Sequence, residues 1–140
     1  MRVYVSGGFE EAAKRVDFFD IENNKWHKAS LLNQGRRAHG SISLGRHIYV
    51  FGGLQDPGTV ESLHVGEGQR WQIIKESIRL MNRFNAAVTV FKKHSVLVFG
   101  GQTGNGQLLN DGYLLDIRTN NTQRILGANK DLKFQCNSLA

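Results

Sequence analysis

Arginine recurs in this chain in front of similar stretches. Arg37-Ala38-His39-Gly40-Ser41-Ile42, Arg83-Phe84-Asn85-Ala86-Ala87-Val88 and Lys133-Phe134-Gln135-Cys136-Asn137-Ser138-Leu139 each begin on a cation, pass a small or polar segment and enter an apolar one. Arg36 could take the place of Arg37, which slips the first alignment by one residue. A guanidinium forks a carboxylate with two parallel hydrogen bonds, so arginines gathered by a repeat suit an acidic ligand. The competing use of each arginine is structural: its donors can brace the neighbouring repeat unit through backbone carbonyls.

Other reactive residue types are scattered. His27, His39, His47, His64 and His94 form no His-x-x-x-His pair, and no Cys-x-x-Cys occurs, so no metal site is expected. The single cysteine, Cys136, cannot close an internal disulfide, which points to a reducing compartment and hence the cytoplasm. The glycine-rich Gly100-Gly101-Gln102-Thr103-Gly104-Asn105-Gly106 lacks the Gly-Lys-Ser/Thr and helix of a phosphate cradle, so it reads as a loop. Asn120-Asn121-Thr122 matches a glycosylation sequon, but with no secretory signal at the start of the chain it reads as an Asn-rich turn. The net charge of +6 comes from dispersed cations such as Lys14-Arg15, Lys92-Lys93 and Lys130. That dispersal suits a solvated surface. Nucleic-acid binding would call for aromatics interleaved on a basic face, and core packing accounts for Phe84 and Phe134. No apolar run approaches the ~18 residues of a membrane span.

The elements that must position these residues are short strands. Arg2-Val3-Tyr4-Val5-Ser6-Gly7-Gly8 returns as His47-Ile48-Tyr49-Val50-Phe51-Gly52-Gly53 and again as Ser95-Val96-Leu97-Val98-Phe99-Gly100-Gly101. The second glycines lie 45 and 48 residues apart. Such a period marks one supersecondary unit that buries its apolar faces only by stacking on neighbours. The second unit predicts four strands, Gly40 to Leu44, His47 to Phe51, Val60 to Val65 and Trp71 to Lys75, with a turn at Asp56-Pro57-Gly58. The third predicts Asn85 to Phe91, Ser95 to Phe99, Gly112 to Ile117 and Thr122 to Leu126. The first has three: Val3 to Ser6, Val16 to Ile21 and Trp26 to Lys28. Units therefore run roughly 1–35, 36–81 and 82–132, and 133–140 reads as a spare first strand. Asp20 precedes Trp26 by six residues; Val65 precedes Trp71, and Asp116 precedes Thr122, by the same interval.

A strand ending in a double glycine, then a loop, a Tyr- or Leu-rich strand, an acidic residue and a Trp six positions on resembles the kelch repeat. The resemblance covers almost the whole chain. It implies an all-β fold of four-stranded antiparallel blades, three of them here, forming part of a β-propeller. Gly7, Gly8, Gly52, Gly53, Gly100 and Gly101 are then structural, allowing positive φ and close backbone approach where blades crowd. Trp26 and Trp71 are expected between blades, each with a partner for its indole N–H.

Three blades do not close a ring, since propellers have about 4–8. Two readings stay open. The chain is a piece of a longer kelch protein, or two copies form a homodimer closing a six-bladed ring, Lys133 to Leu139 of each completing the other's first blade.

In kelch propellers the start of strand one and the loop after the double glycine lie toward one mouth of the channel. The resemblance thus implies a basic rim of Arg36, Arg37, Arg83 and Lys133 followed by His39, Asn85 and Gln135, with Gln55, Asp56, Thr103 and Asn105 on the adjoining loops. The function implied is non-catalytic binding of an acidic peptide or protein segment, for substrate recruitment or scaffolding as in cullin adaptors and actin-associated proteins. No cofactor is expected, because the copper site of galactose oxidase has no counterpart around Cys136. A propeller enzyme akin to sialic-acid epimerases or specifier proteins is the alternative; it needs a carboxylate near the mouth, and no carboxylate recurs there in the sequence.

Overall fold

The computed structural model describes residues 1–55, 58–66, 70–75 and 82–126. They form three antiparallel sheets that follow one another along the chain. The first holds β1 (Arg2–Ser6), β2 (Val16–Asp20) and β3 (Lys25–Lys28) in that order. The second runs β4 (Gly40–Leu44), β5 (His47–Phe51), β6 (Val60–His64) and β7 (Trp71–Lys75), and the third repeats it with β8 (Ala87–Lys92), β9 (Ser95–Phe99), β10 (Asp111–Asp116) and β11 (Thr122–Leu126). The sequence misses one element, a 3-10 turn at Glu10–Lys14, where the helix-favouring Glu-Glu-Ala-Ala-Lys shortens the first post-glycine loop. The proposed strand at Lys133 to Leu139 lies outside the described residues.

Strand registers align the blades residue by residue. Val3 lies opposite Phe19, which lies opposite Trp26; Ile48, Leu63 and Trp71 repeat this row, and Val96, Leu115 and Thr122 repeat it again. In the second blade Leu63, at 1% exposure, and Trp71, at 5%, are buried and Ile48 partly so, and the row packs with Val50 against Val16 and Leu32 of the first unit. In the third, Val96, Val98 and Leu115 close on Tyr49, Phe51 and Val60 of the second blade. Side chains of a strand alternate between faces, so a blade flanked on both sides needs apolar residues at successive positions. That requirement accounts for the unbroken Ile48-Tyr49-Val50-Phe51 run.

Trp71 behaves as the sequence predicts, donating its indole N–H to the Ser30 carbonyl at 3.1 Å. Trp26 does not. It is 61% exposed, because its row of the first blade, with Val3 at 46% and Val5 at 53%, faces away from the other two blades. The aspartate that precedes the tryptophan position by six is a turn device. Asp20 accepts the backbone N–H groups of Glu22 and Asn23, and Asp116 those of Arg118 and Thr119.

Both glycines of each pair have positive φ. The first closes the base of its loop: Gly7, Gly52 and Gly100 donate N–H to the carbonyls of Arg15, Thr59 and Asp111. The second reaches across the seam to the next blade, Gly8 N–H to the Arg36 carbonyl at 3.1 Å and Gly53 N–H to the Arg83 carbonyl at 3.0 Å. The pair thus serves as a joint within and between blades.

Candidate functional site

The glycine joints place the start of every first strand beside the post-glycine loops. Leu54 exchanges backbone hydrogen bonds with Arg37, and Gln102 does so with Phe84. Arg36 and Arg83 therefore occupy equivalent positions, followed by Ala38 and Asn85, both at φ +53. The alignment with Arg36 in the first cation position is the correct one, and Arg37 aligns with Phe84.

Within this frame the two equivalent arginines turn inward. Arg36 is wholly buried; its guanidinium donates to the Gly52 carbonyl at 2.9 Å, to Thr59 Oγ1 at 2.8 Å and to Glu61 Oε1 at 2.6 Å. Arg83 repeats the arrangement with the Gly100 carbonyl at 2.9 Å and Asp111 Oδ1 at 3.1 Å. These are brace contacts within the arginine's own blade, and not with the neighbouring unit as the sequence suggests. They correct the expectation that Arg36 and Arg83 present their charge at the mouth. They also correct the sequence reading that no carboxylate recurs there: Glu61 and Asp111 do so, two register positions apart along the third strand and thus on one face of it. The carboxylates are absorbed by the braces. Glu61 also accepts Asn33 N–H at 2.7 Å, Asn33 Nδ2 at 2.9 Å and Gln34 N–H at 3.0 Å. Burial pushes the Asp111 carboxyl up, but Arg124 and Arg83 outweigh it and hold its pKa below the usual value.

The other candidate residues are less buried. Arg37 is half-buried, with its guanidinium 4.3 Å from the centre of the Phe9 ring of the preceding blade. Phe9, the residue after Gly7-Gly8, is 69% exposed and was not singled out by the sequence; its equivalence to Leu54 and Gln102 was the available signal. Gln55 is exposed with φ +73. Thr103 and Asn105 cap a tight loop in which Thr103 N–H donates to the Gln107 carbonyl at 3.0 Å and Thr103 Oγ1 meets Asn105 Oδ1. Asn85 N–H donates to the Ala38 carbonyl at 2.9 Å across the seam. Asp56, Lys133 and Gln135 lie outside the described residues. Among the described residues no group of three His, Cys, Asp or Glu is placed to hold a metal ion, and no helix is long and apolar enough to cross a membrane.

His39 sits in the seam instead of on the rim. Its Nε2 lies 3.0 Å from Ser6 Oγ, and its buried Nδ1 has no hydrogen-bond partner. An orphaned lone pair costs less than an orphaned N–H, so Nε2 carries the proton and donates to Ser6. Burial, then the Arg36 charge, lower its pKa to about 4 from 6.5, against a smaller upward pull from Glu61. Between those values the unfolded chain binds a proton that the folded one refuses, so stability falls as pH drops through this window. From pH 7 to pH 4.5 we expect His39 to account for about 2–3 kcal/mol of lost stability. Urea unfolding of the parent and of His39→Gln at both pH values checks this; equal losses in the two proteins would exclude His39 as the source.

Comparison with known proteins gives a finding of the same kind. No family model matches the chain. It is 29% identical over 102 residues to Kelch-like protein 6 of Homo sapiens, an alignment covering 73% of this chain and 16% of that protein.

Proposed function

From the premise that this chain is a series of kelch-type repeats forming an arc of β-propeller blades, we propose that it is a non-catalytic protein-interaction module that takes an acidic peptide or protein segment at the mouth of the propeller. One observation carries the reading. Arg37 is held over the exposed Phe9 ring at 4.3 Å, on the rim where the post-glycine loops emerge. Arginine and aromatic side chains dominate binding energy at protein interfaces, and a guanidinium already stacked on a ring loses less freedom when it meets a carboxylate. Gln55 on the second post-glycine loop and Thr103 and Asn105 on the third supply polar groups for the same segment, with Asn85 at the start of the third blade.

The mouth is complete only in a closed ring. Further blades come from flanking sequence of a longer chain or from a second copy, with Lys133 to Leu139 pairing along β1. A cytoplasmic location, inferred from the lone cysteine, belongs to the same reading.

Fluorescence polarisation with a labelled Asp/Glu-rich peptide of about twelve residues tests the proposal, alongside light scattering for molar mass. Binding weakened at least tenfold in Arg37→Glu and in Phe9→Ala, with no binding of a Lys-rich peptide, supports it. Unchanged affinity in both variants overturns it. A mass of two chains supports the two-copy ring, and a folded single-chain mass rules that ring out.

A further inference from the structure

A second opening lies at the other end of the blades. The strands that finish in glycine pairs begin at the turns Gly45-Arg46 and Lys93-His94, so these turns stand opposite the mouth. Between the second and third blades they frame a cavity of about 550 Å³. That is within the range of sites for small organic ligands, about 300–1,000 Å³.

The lining divides by chemistry. Leu44, Tyr49 and Ile117 are its apolar lining, and Tyr49 is only 7% exposed. Arg46, His47, Lys93, His94 and Arg118 are its polar and basic lining, and among the described residues no Asp or Glu lines the cavity. The nearest carboxylate in sequence, Asp116, accepts the backbone N–H groups of Arg118 and Thr119 at 2.9 Å. It fixes the turn from which Arg118 projects. The frame is held from both blades, Ile117 N–H donating to the His94 carbonyl and Val65 N–H to the Arg46 carbonyl, each at 2.8 Å. His47 is held edge-on to His64 with ring centres 4.8 Å apart. Burial, then His64, lower the His47 pKa, and Arg46, Lys93 and Arg118 supply positive charge.

A bare anion would use the cations and leave the apolar lining wet; an uncharged apolar molecule would use the apolar lining and leave three cations with no counter-ion among the described lining residues. We propose that this cavity binds a small organic anion, an oxyanion head carried on an apolar body, at a site separate from the mouth. The head meets Arg46, Lys93 and Arg118, where a guanidinium gives two parallel hydrogen bonds, and the body lies on Leu44, Tyr49 and Ile117.

Isothermal titration of the 140-residue chain with phenyl phosphate, inorganic phosphate and phenol tests the site. We expect saturable binding of phenyl phosphate at least tenfold tighter than that of inorganic phosphate, and no measurable binding of phenol. The double variant R46E/R118E should weaken phenyl phosphate at least tenfold, and Arg37→Glu at the mouth should leave it unchanged. If the double variant fails to fold, Lys93→Glu carries the same test. No saturable binding, phenyl phosphate no tighter than phosphate, or affinity insensitive to these charge reversals overturns the proposal.

Discussion

Glu61→Ala is expected to lower the stability of this chain by about 3–5 kcal/mol, read from the urea midpoint of unfolding. Glu61 and Arg36 are both wholly sequestered from solvent, and the carboxylate takes donors from Arg36, Asn33 and Gln34. Asn33 also donates to the Trp71 carbonyl at 2.8 Å, so one side chain ties the linker after β3 to β6 and β7. Removing the carboxylate strands a buried guanidinium charge and leaves backbone donors without an acceptor. Each of those costs more than the net worth of an ordinary hydrogen bond. Small domains have only about 5–15 kcal/mol in total, so the variant should be largely unfolded in mild denaturant. Replacing both partners by apolar residues, Arg36→Met with Glu61→Leu, should recover a substantial part of the loss, because no charge is then abandoned. A Glu61→Ala protein within about 1 kcal/mol of the parent would show that the brace is not what closes this end of the blade.

Gly53→Ala should be nearly as damaging, at about 2–4 kcal/mol. Its φ of +104 is disfavoured for any residue with a Cβ, and that Cβ would stand 2.8 Å from the Arg37 carbonyl oxygen and 3.0 Å from the His39 Cβ. Neither neighbour is the free end of a flexible side chain. The shift would also disturb the Gly53 N–H bond to the Arg83 carbonyl across the seam. Gly45→Ala is the control. It sits at φ +62 with nothing within 4 Å of the added atom, so only the backbone preference is lost, at about 1 kcal/mol. Equal thermal midpoints for the two variants would refute the steric account.

Most of the fold was legible because strand alternation and glycine pairs are local signals. Gly40–Leu44, His47–Phe51, Trp71–Lys75, Ser95–Phe99 and Thr122–Leu126 have the limits that their flanking turns predict, and the others differ by a residue or two at their ends. The candidate site was less legible. Four-stranded registers had to be known before Arg36 could be set against Arg83, because Arg36-Arg37 offers two cations where the third blade offers one. Burial was harder still. An arginine before a strand looks identical whether it points to solvent or to Thr59 and Glu61, and the acid that answers it moves from Glu61 in one blade to Asp111, two positions away in register, in the next. Phe9 escaped notice because the residue after the glycine pair is Phe, Leu and Gln in the three units, and composition alone gives no reason to compare them.

The row Val3, Phe19, Trp26 against the row Ile48, Leu63, Trp71 has a geometric consequence. Both seams among the described residues are heterologous: the face that carries the tryptophan row, or its equivalent, in one blade meets the opposite face of the blade before it. The outward face of the first blade, which bears Trp26, Val3 and Val5, is therefore suited to the opposite kind of blade face and not to a copy of itself. Head-to-tail contacts of this kind have two outcomes, a closed ring if the rotation per blade divides the circle and an open helical array if it does not. The packing angle at the seams, set by residues such as Gly40 against Val88 and by the Gly53–Arg83 bond, thereby fixes the rotation from one blade to the next.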